Sequence, residues 1–178
     1  MKSGLNNLKL IAALAMLAAI SIICGKYLAL NVGEAMRFSL ESMPILFAGL
    51  AFGPIAGGLV GAVADLVGCL MVAYTVNPLI TIGAALIGII SGLVPVVLKK
   101  YALNDKIICA ASVVAAHLVG SVLVKTLGLA SYYDMPFIML LLWRTLNYLI
   151  VGVLDGTVVY ILLHNKGIQM QIKELKKQ

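Results

Sequence analysis

Residues 37–68, RFSLESMPILFAGLAFGPIAGGLVGAVADLVG, decide what kind of molecule this chain is. The run is almost wholly apolar or glycine, breaks at Gly53-Pro54, and carries Asp65 deep inside it. A carboxylate at the centre of a membrane helix costs roughly 2.5–3.5 kcal/mol even on lenient insertion scales. Crossing a bilayer requires no such group. Asp65 therefore points to a polar interior, the mark of a pathway or a pocket.

The rest of the chain agrees. Hydrophobic residues make up 62% and charged residues 11%, and the mean hydropathy of +1.09 excludes an ordinary soluble domain. At about 20 residues per span, the chain makes five or six helices and leaves nothing for a separate domain. Long apolar runs with close glycine spacing argue for helices over the alternating strands of a barrel. The net charge of +6 sits at the ends of apolar segments, which fits membrane flanks and not nucleic acid. Cys24, Cys69 and Cys109 stand singly without metal-type spacing and read as small packing residues. Ile23 precedes Cys24 where a lipoprotein cleavage site takes a small residue, so the segment reads as a first helix.

The apolar runs predict helices at about 8–24, 38–52, 54–74, 78–98, 107–127 and 138–163. The second and third are separated only by Gly53-Pro54. Joined, residues 43–74 would make a helix about 48 Å long, against a hydrocarbon core of roughly 30 Å. Proline also removes a backbone donor and disfavours helix at the residue before it. Two helices and a tight turn follow.

Charge placement fixes the count. Six spans put Lys2, Lys9, Lys99, Lys100, Lys106, Lys166, Lys173, Lys176 and Lys177 on one side, leaving Lys26 and Arg37 on the other. Five spans would turn the 99–106 loop and the basic tail outward, against the positive-inside bias. The expected fold is an all-α membrane protein, a single bundle of six transmembrane helices with both termini cytoplasmic.

On that topology the intramembrane charges gather in the outer half. Arg37 and Glu41 lead into the second helix, and Lys125 lies near the outer end of the fifth. Arg144 is about 9 Å into the sixth and Asp65 about 14 Å deep in the third, at 1.5 Å per residue. Tyr74, Asn77, Tyr132, Tyr133, Trp143, Asn147 and Tyr148 share that half. Tyr132 and Tyr133 equally suit an aromatic belt. Around Arg144, rings and an amide suit a flat, anionic organic ligand: guanidinium forks a carboxylate, rings stack, and amides read heteroatoms. Asp65 is either a ligand-facing acid or the buried partner of Arg144 or Lys125. Asp155 reads as structural, tied to the backbone beside Gly156, and His117 as an interhelical hydrogen bond. No catalytic set, metal cluster, cofactor motif or nucleotide loop is present in the sequence.

Small residues also pattern the helices. Gly57, Gly61 and Asp65 recur at four-residue spacing on the third helix, and Ala15 and Ala19 make a small patch on the first. Such spacing lets helices approach closely, either inside the bundle or at a docking surface.

The series Arg37, Pro44, Gly49, Phe52-Gly53-Pro54, Gly57, Gly61, Asp65 and Gly68 resembles the second and third helices of S components of energy-coupling factor (ECF) transporters. It is most similar to the folate-specific type, in which an arginine, a proline, a GP turn and a D-x-x-G ending follow in this order. The motif occupies 37–68, while length and six-helix topology extend the resemblance over nearly the whole chain. It implies a membrane subunit of the bacterial plasma membrane that binds a small vitamin. Its expected partners are a transmembrane coupling protein, met through Ala15 and Ala19, and two cytoplasmic ATPases. Folate is favoured because three outer cations match its two carboxylates and the rings match its pterin and aminobenzoate. Pantothenate, a queuosine precursor, or a purely structural role in a membrane complex are the alternatives.

Overall fold

The computed structural model describes residues 8–32, 36–133 and 136–177. Helix α1 (Leu8–Ile22) runs on as a π-helical turn, Ile23–Tyr27. A short antiparallel hairpin follows, β1 (Leu30–Val32) against β2 (Met36–Phe38), with Asn31 opposite Arg37. Then come α2 (Ser42–Phe52), α3 (Pro54–Met71), α4 (Pro78–Leu98) and α5 (Asp105–Ala116). A π-helical stretch, His117–Val124, joins α5 to α6 (Lys125–Tyr133), and α7 (Phe137–His164) and α8 (Lys166–Lys177) complete the order. Among the described residues, five helices are long and apolar enough to cross a bilayer: Leu8–Tyr27, Pro54–Met71, Pro78–Tyr101, Asp105–Tyr132 and Phe137–His164. The apolar α2 is shorter, about 16 Å at 1.5 Å per residue.

The chain differs from its expected helix map at the end of α3, which stops at Met71 and not 74, at the end of the fifth helical segment, which runs on to Tyr133 and not 127, and in two further places. Residues 38–41 are not helical, because the backbone of Met36–Phe38 is engaged in the hairpin and α2 begins only at Ser42. Beyond the sixth apolar run lies an unforeseen helix, α8, whose N-terminus is capped by Asn165 Oδ1 accepting from the Gly167 N–H at 2.9 Å. The turn at 53–54 forms as the sequence demands. Gly53 has φ +100°, a conformation that excludes ordinary side chains, and Pro54 opens α3 at a position that needs no N–H.

Helix α4 is the hub, packed against α2, α3, α5 and the π-helical stretch. Glycines bring its backbone into direct contact with its neighbours. A Cβ on Gly88 would run into the Gly57 carbonyl, and one on Gly61 into the Ala84 carbonyl. The small residues of α3 thus serve packing inside the bundle. Leu46, Ala48, Ile87, Ala116 and Val159 close the core around this seam with essentially no exposure.

The lysine-rich loops and α8 share one end of the bundle. Ile168 and Ile172 of α8 pack on the core cluster. Desolvation, with repulsion from Lys99 added, lowers the Lys176 pKa from its usual range.

Candidate functional site

The opposite half of the bundle holds a polar cluster built from five elements. Lys125, the first residue of α6, is 5% exposed, and its Nζ donates to Glu41 Oε1 at 2.9 Å. Glycines make the room. A Cβ at Gly83 would fall 2.6 Å from Lys125 Cγ, and one at Gly25 would lie 2.7 Å from Glu41 Oε2. The Ser21 hydroxyl donates to the Glu41 carbonyl at 2.6 Å and so ties α1 to the start of α2. Asp65 accepts from the Thr81 hydroxyl at 2.6 Å. Lys26, on the π-helical end of α1, approaches Cys69 Sγ at 3.7 Å and lies 5.6 Å from the centre of the Tyr74 ring. These groups enclose a cavity of only about 10 Å³, roughly room for one water molecule. The site is closed over its own ion pair.

Arg144 of α7 lies beyond this cavity. Its Nε and Nη2 donate to the Ser121 carbonyl at 3.2 and 2.9 Å, and Nη2 reaches the Tyr148 hydroxyl at 3.4 Å. The acceptor belongs to the π-helical stretch, and insertions of this kind recur at functional sites because they re-aim carbonyls. The guanidinium also sits 5.3 Å from the centre of the Tyr148 ring. Asp65 therefore takes Thr81 as its direct partner, and neither Arg144 nor Lys125 contacts it.

Below Arg144 lies a second buried pair. His117 Nε2 stands 3.2 Å from Asp155 Oδ2, and the two side chains are 5% and 0% exposed. The distance suits a hydrogen bond, but the alignment is poor enough to leave His117 Nε2 and both Asp155 oxygens short of good partners. His117 Nδ1 meets Ser121 Oγ at 3.2 Å. Asp155 thus turns to the imidazole of another helix and not to the backbone beside Gly156, since a buried carboxylate is held best by a cationic or N–H partner. Replacing His117 by leucine should destabilise the protein by about 3–5 kcal/mol, because Asp155 is left uncompensated. The double variant H117L/D155L should recover most of that loss. Thermal unfolding in detergent reads both, and an additive double variant would refute the pairing.

The remaining expected residues divide. Asn77 is engaged in structure: Oδ1 caps α4 through the Leu79 N–H at 3.0 Å, and Nδ2 donates to the Gly128 carbonyl at 2.9 Å. Asn147 is buried, whereas Tyr74, Tyr132 and Trp143 are largely exposed. Arg37 lies on β2 and Tyr133 ends α6; their side chains fall outside the described residues. Strand β2 packs against α7, the helix of Arg144. Sequence reasoning missed Lys26 and Thr81. Lys26 had a signal, being one of two cations on the side where the positive-inside bias places few. Thr81 had a weaker one, a hydroxyl one turn after Asn77 at the depth of Asp65.

Known proteins share this fold. Residues 9–163 match the family described as ECF transporter, substrate-specific component. No curated protein matches by sequence. Among solved structures, FolT bound with folic acid is similar at a TM-score of 0.67 and 22% identity, covering 86% of this chain and 91% of that one. The S component for biotin from an ECF-type ABC transporter has the same TM-score at 17% identity, covering 96% and 98%. A third, the S component of a bacterial ECF transporter, reaches a TM-score of 0.55 at 19% identity, covering 95% and 96%. These neighbours share the fold, and the family match spans nearly all of the helical bundle. S components are multi-pass membrane subunits that bind vitamins for ECF modules and are not enzymes. The chain, with its apolar spans closed around a small polar site, belongs to the substrate-specific components of ECF transporters.

Proposed function

We propose that this S component takes up folate or a related pterin. Lys125 carries the reading: a buried ammonium in the outer half that holds the protein's own Glu41 carboxylate. A folate carboxylate takes the place of Glu41 on Lys125. Lys26, Arg37 and Arg144 supply further positive charge, Glu41, Asp65 and Asn147 set the hydrogen bonding, and Asn77 holds the start of α4 in place. Tyr74, Tyr132, Tyr133, Trp143 and Tyr148 give the rings on which a pterin stacks. Occupancy requires the closed cavity to widen.

In this reading α2 is a short sixth span, both termini face the cytoplasm, and the membrane is a bacterial plasma membrane. A transmembrane coupling protein and two cytoplasmic ATPases supply the energy. The test uses Trp143, the chain's single tryptophan, one residue before Arg144. Folate should quench its fluorescence in detergent with one-to-one saturation. Absence of quenching, with pantothenate or a queuosine precursor protecting the protein against heat instead, would replace folate as the substrate.

Ala15 and Ala19 support docking through α1, because both face outward while Leu14 and Ala18 are buried. Ala15→Trp should leave folate binding within about twofold, as an exposed substitution far from the pocket. It should abolish co-purification with the coupling subunit. Wild-type recovery of the complex would refute docking on this face.

A further inference from the structure

Away from the polar cluster, an open trough of about 590 Å³ runs between α7 and the α5 segment with its π-helical continuation. Val113, Val114, Leu118, Leu149 and Val153 make its walls almost wholly apolar. Two glycines of α7, Gly152 and Gly156, form part of one wall. They differ from the glycines of the α3–α4 seam. A Cβ on Gly152 would meet nothing closer than His117 Cδ2 at 3.6 Å, and one on Gly156 nothing closer than Val113 at 3.7 Å. Helix contact does not demand either glycine, so the space in front of them belongs to something else.

One end of the trough is charged. Lys106 lines it, with its ammonium 6.0 Å from the centre of the Tyr160 ring. Lys106 stands in the first turn of α5, where free N–H groups and the helix dipole favour an anion. Asn104 Oδ1 accepts from the Lys106 N–H at 3.2 Å, and Asp105 is the acidic residue of that turn. Lys99 and Lys100, just before in the chain, keep the neighbourhood positive. Beyond Lys106, the trough follows the helix to Val122, about 24 Å at 1.5 Å per residue. One leaflet of the hydrocarbon core is about 15 Å deep. An apolar channel of this length opening sideways into a bilayer cannot stay empty without losing the contacts of its lining atoms.

We propose that this trough is a binding site for one anionic phospholipid. An acyl chain lies along the Gly152–Gly156 wall, and the headgroup phosphate sits on Lys106 at the lysine-rich end. The apolar length selects a chain, and the charge at one end selects the headgroup. The trough does not include the Lys125–Glu41 cavity and shares only Tyr148 with the proposed vitamin site.

The test is lipid retention by the full chain after exchange from vesicles of equal phosphatidylglycerol and phosphatidylcholine into mild detergent, read by native mass spectrometry. The wild type should keep one phosphatidylglycerol per chain. Lys106→Glu should lower that occupancy roughly tenfold, the size of a charge reversal at a membrane surface. Gly152→Leu with Gly156→Leu should remove it by filling the trough, while Trp143 fluorescence reports the fold. Equal retention of both lipids, or unchanged phosphatidylglycerol in Lys106→Glu, would overturn the proposal. If the double leucine variant fails to fold, the Lys106→Glu comparison alone decides.

Discussion

On the proposed folate reading, Lys125→Met should yield a folded protein that no longer binds folate. Methionine keeps the length and flexibility of the side chain and so fills the space against Gly83. It removes the ammonium that any entering carboxylate must meet. Truncating one partner of a buried charge pair typically costs 2–5 kcal/mol of binding, equivalent to a rise in Kd of about 30-fold to a few thousand-fold. Glu41 complicates the stability side, because the same change leaves it without Lys125. The companion variant K125M/E41Q separates the effects: thermal stability should return while binding stays lost. Thermal unfolding in detergent reads the stability and titration of Trp143 fluorescence the binding, and affinity within about threefold of wild type in K125M would remove Lys125 from the site.

The second large effect falls on the fold. Gly88→Val should abolish the folded protein. Its Cβ would be driven into the Gly57 carbonyl, which belongs to a helix backbone and cannot rotate away as a side chain would. Overpacking a well-filled core typically costs 1–3 kcal/mol, and here two helices must part, which puts the change among the exceptional losses above about 4 kcal/mol. Fluorescence-detected gel filtration in detergent should show aggregate in place of a monodisperse peak. Gly152→Val, whose Cβ would make only an ordinary 3.6 Å contact with His117 Cδ2, is the matched control and should run like the wild type.

Much of this was legible in the sequence, and the reasons are local. Gly53-Pro54 declared its turn because glycine alone tolerates the backbone there and proline alone starts a helix without a donor. Asp65 announced a polar interior because its cost in hydrocarbon needs a cause. What stayed hidden depends on contacts between distant residues or on weak signals. Neither His117 nor Asp155 carries a mark of the other, since they meet only when the α5 segment packs on α7. The hairpin escaped because three-residue strands are too short for an alternating pattern to register. Helix α8 read as a basic tail, although Ile168 and Ile172, one helical turn apart, were its signature. The partner of Asp65 was misjudged for another reason: charge suggested a cation, and the structure supplied a hydroxyl.

The glycine contacts around α4 also divide the polar groups by their freedom to move. Backbone packed on backbone has no rotamers to rearrange, so α2, α3, α4 and the π-helical stretch behave as one stator. Asp65, Thr81 and the backbones bearing Glu41 and Lys125 are mounted on it or pinned against it. Lys26, Arg37 and Arg144 ride on the end of α1, on strand β2 and on α7, outside this glycine seam. On the proposed reading, the second set has the greater freedom to widen the cavity. On the proposed reading, an opening that moved these three elements relative to Asp65 would also change the electric field inside the site.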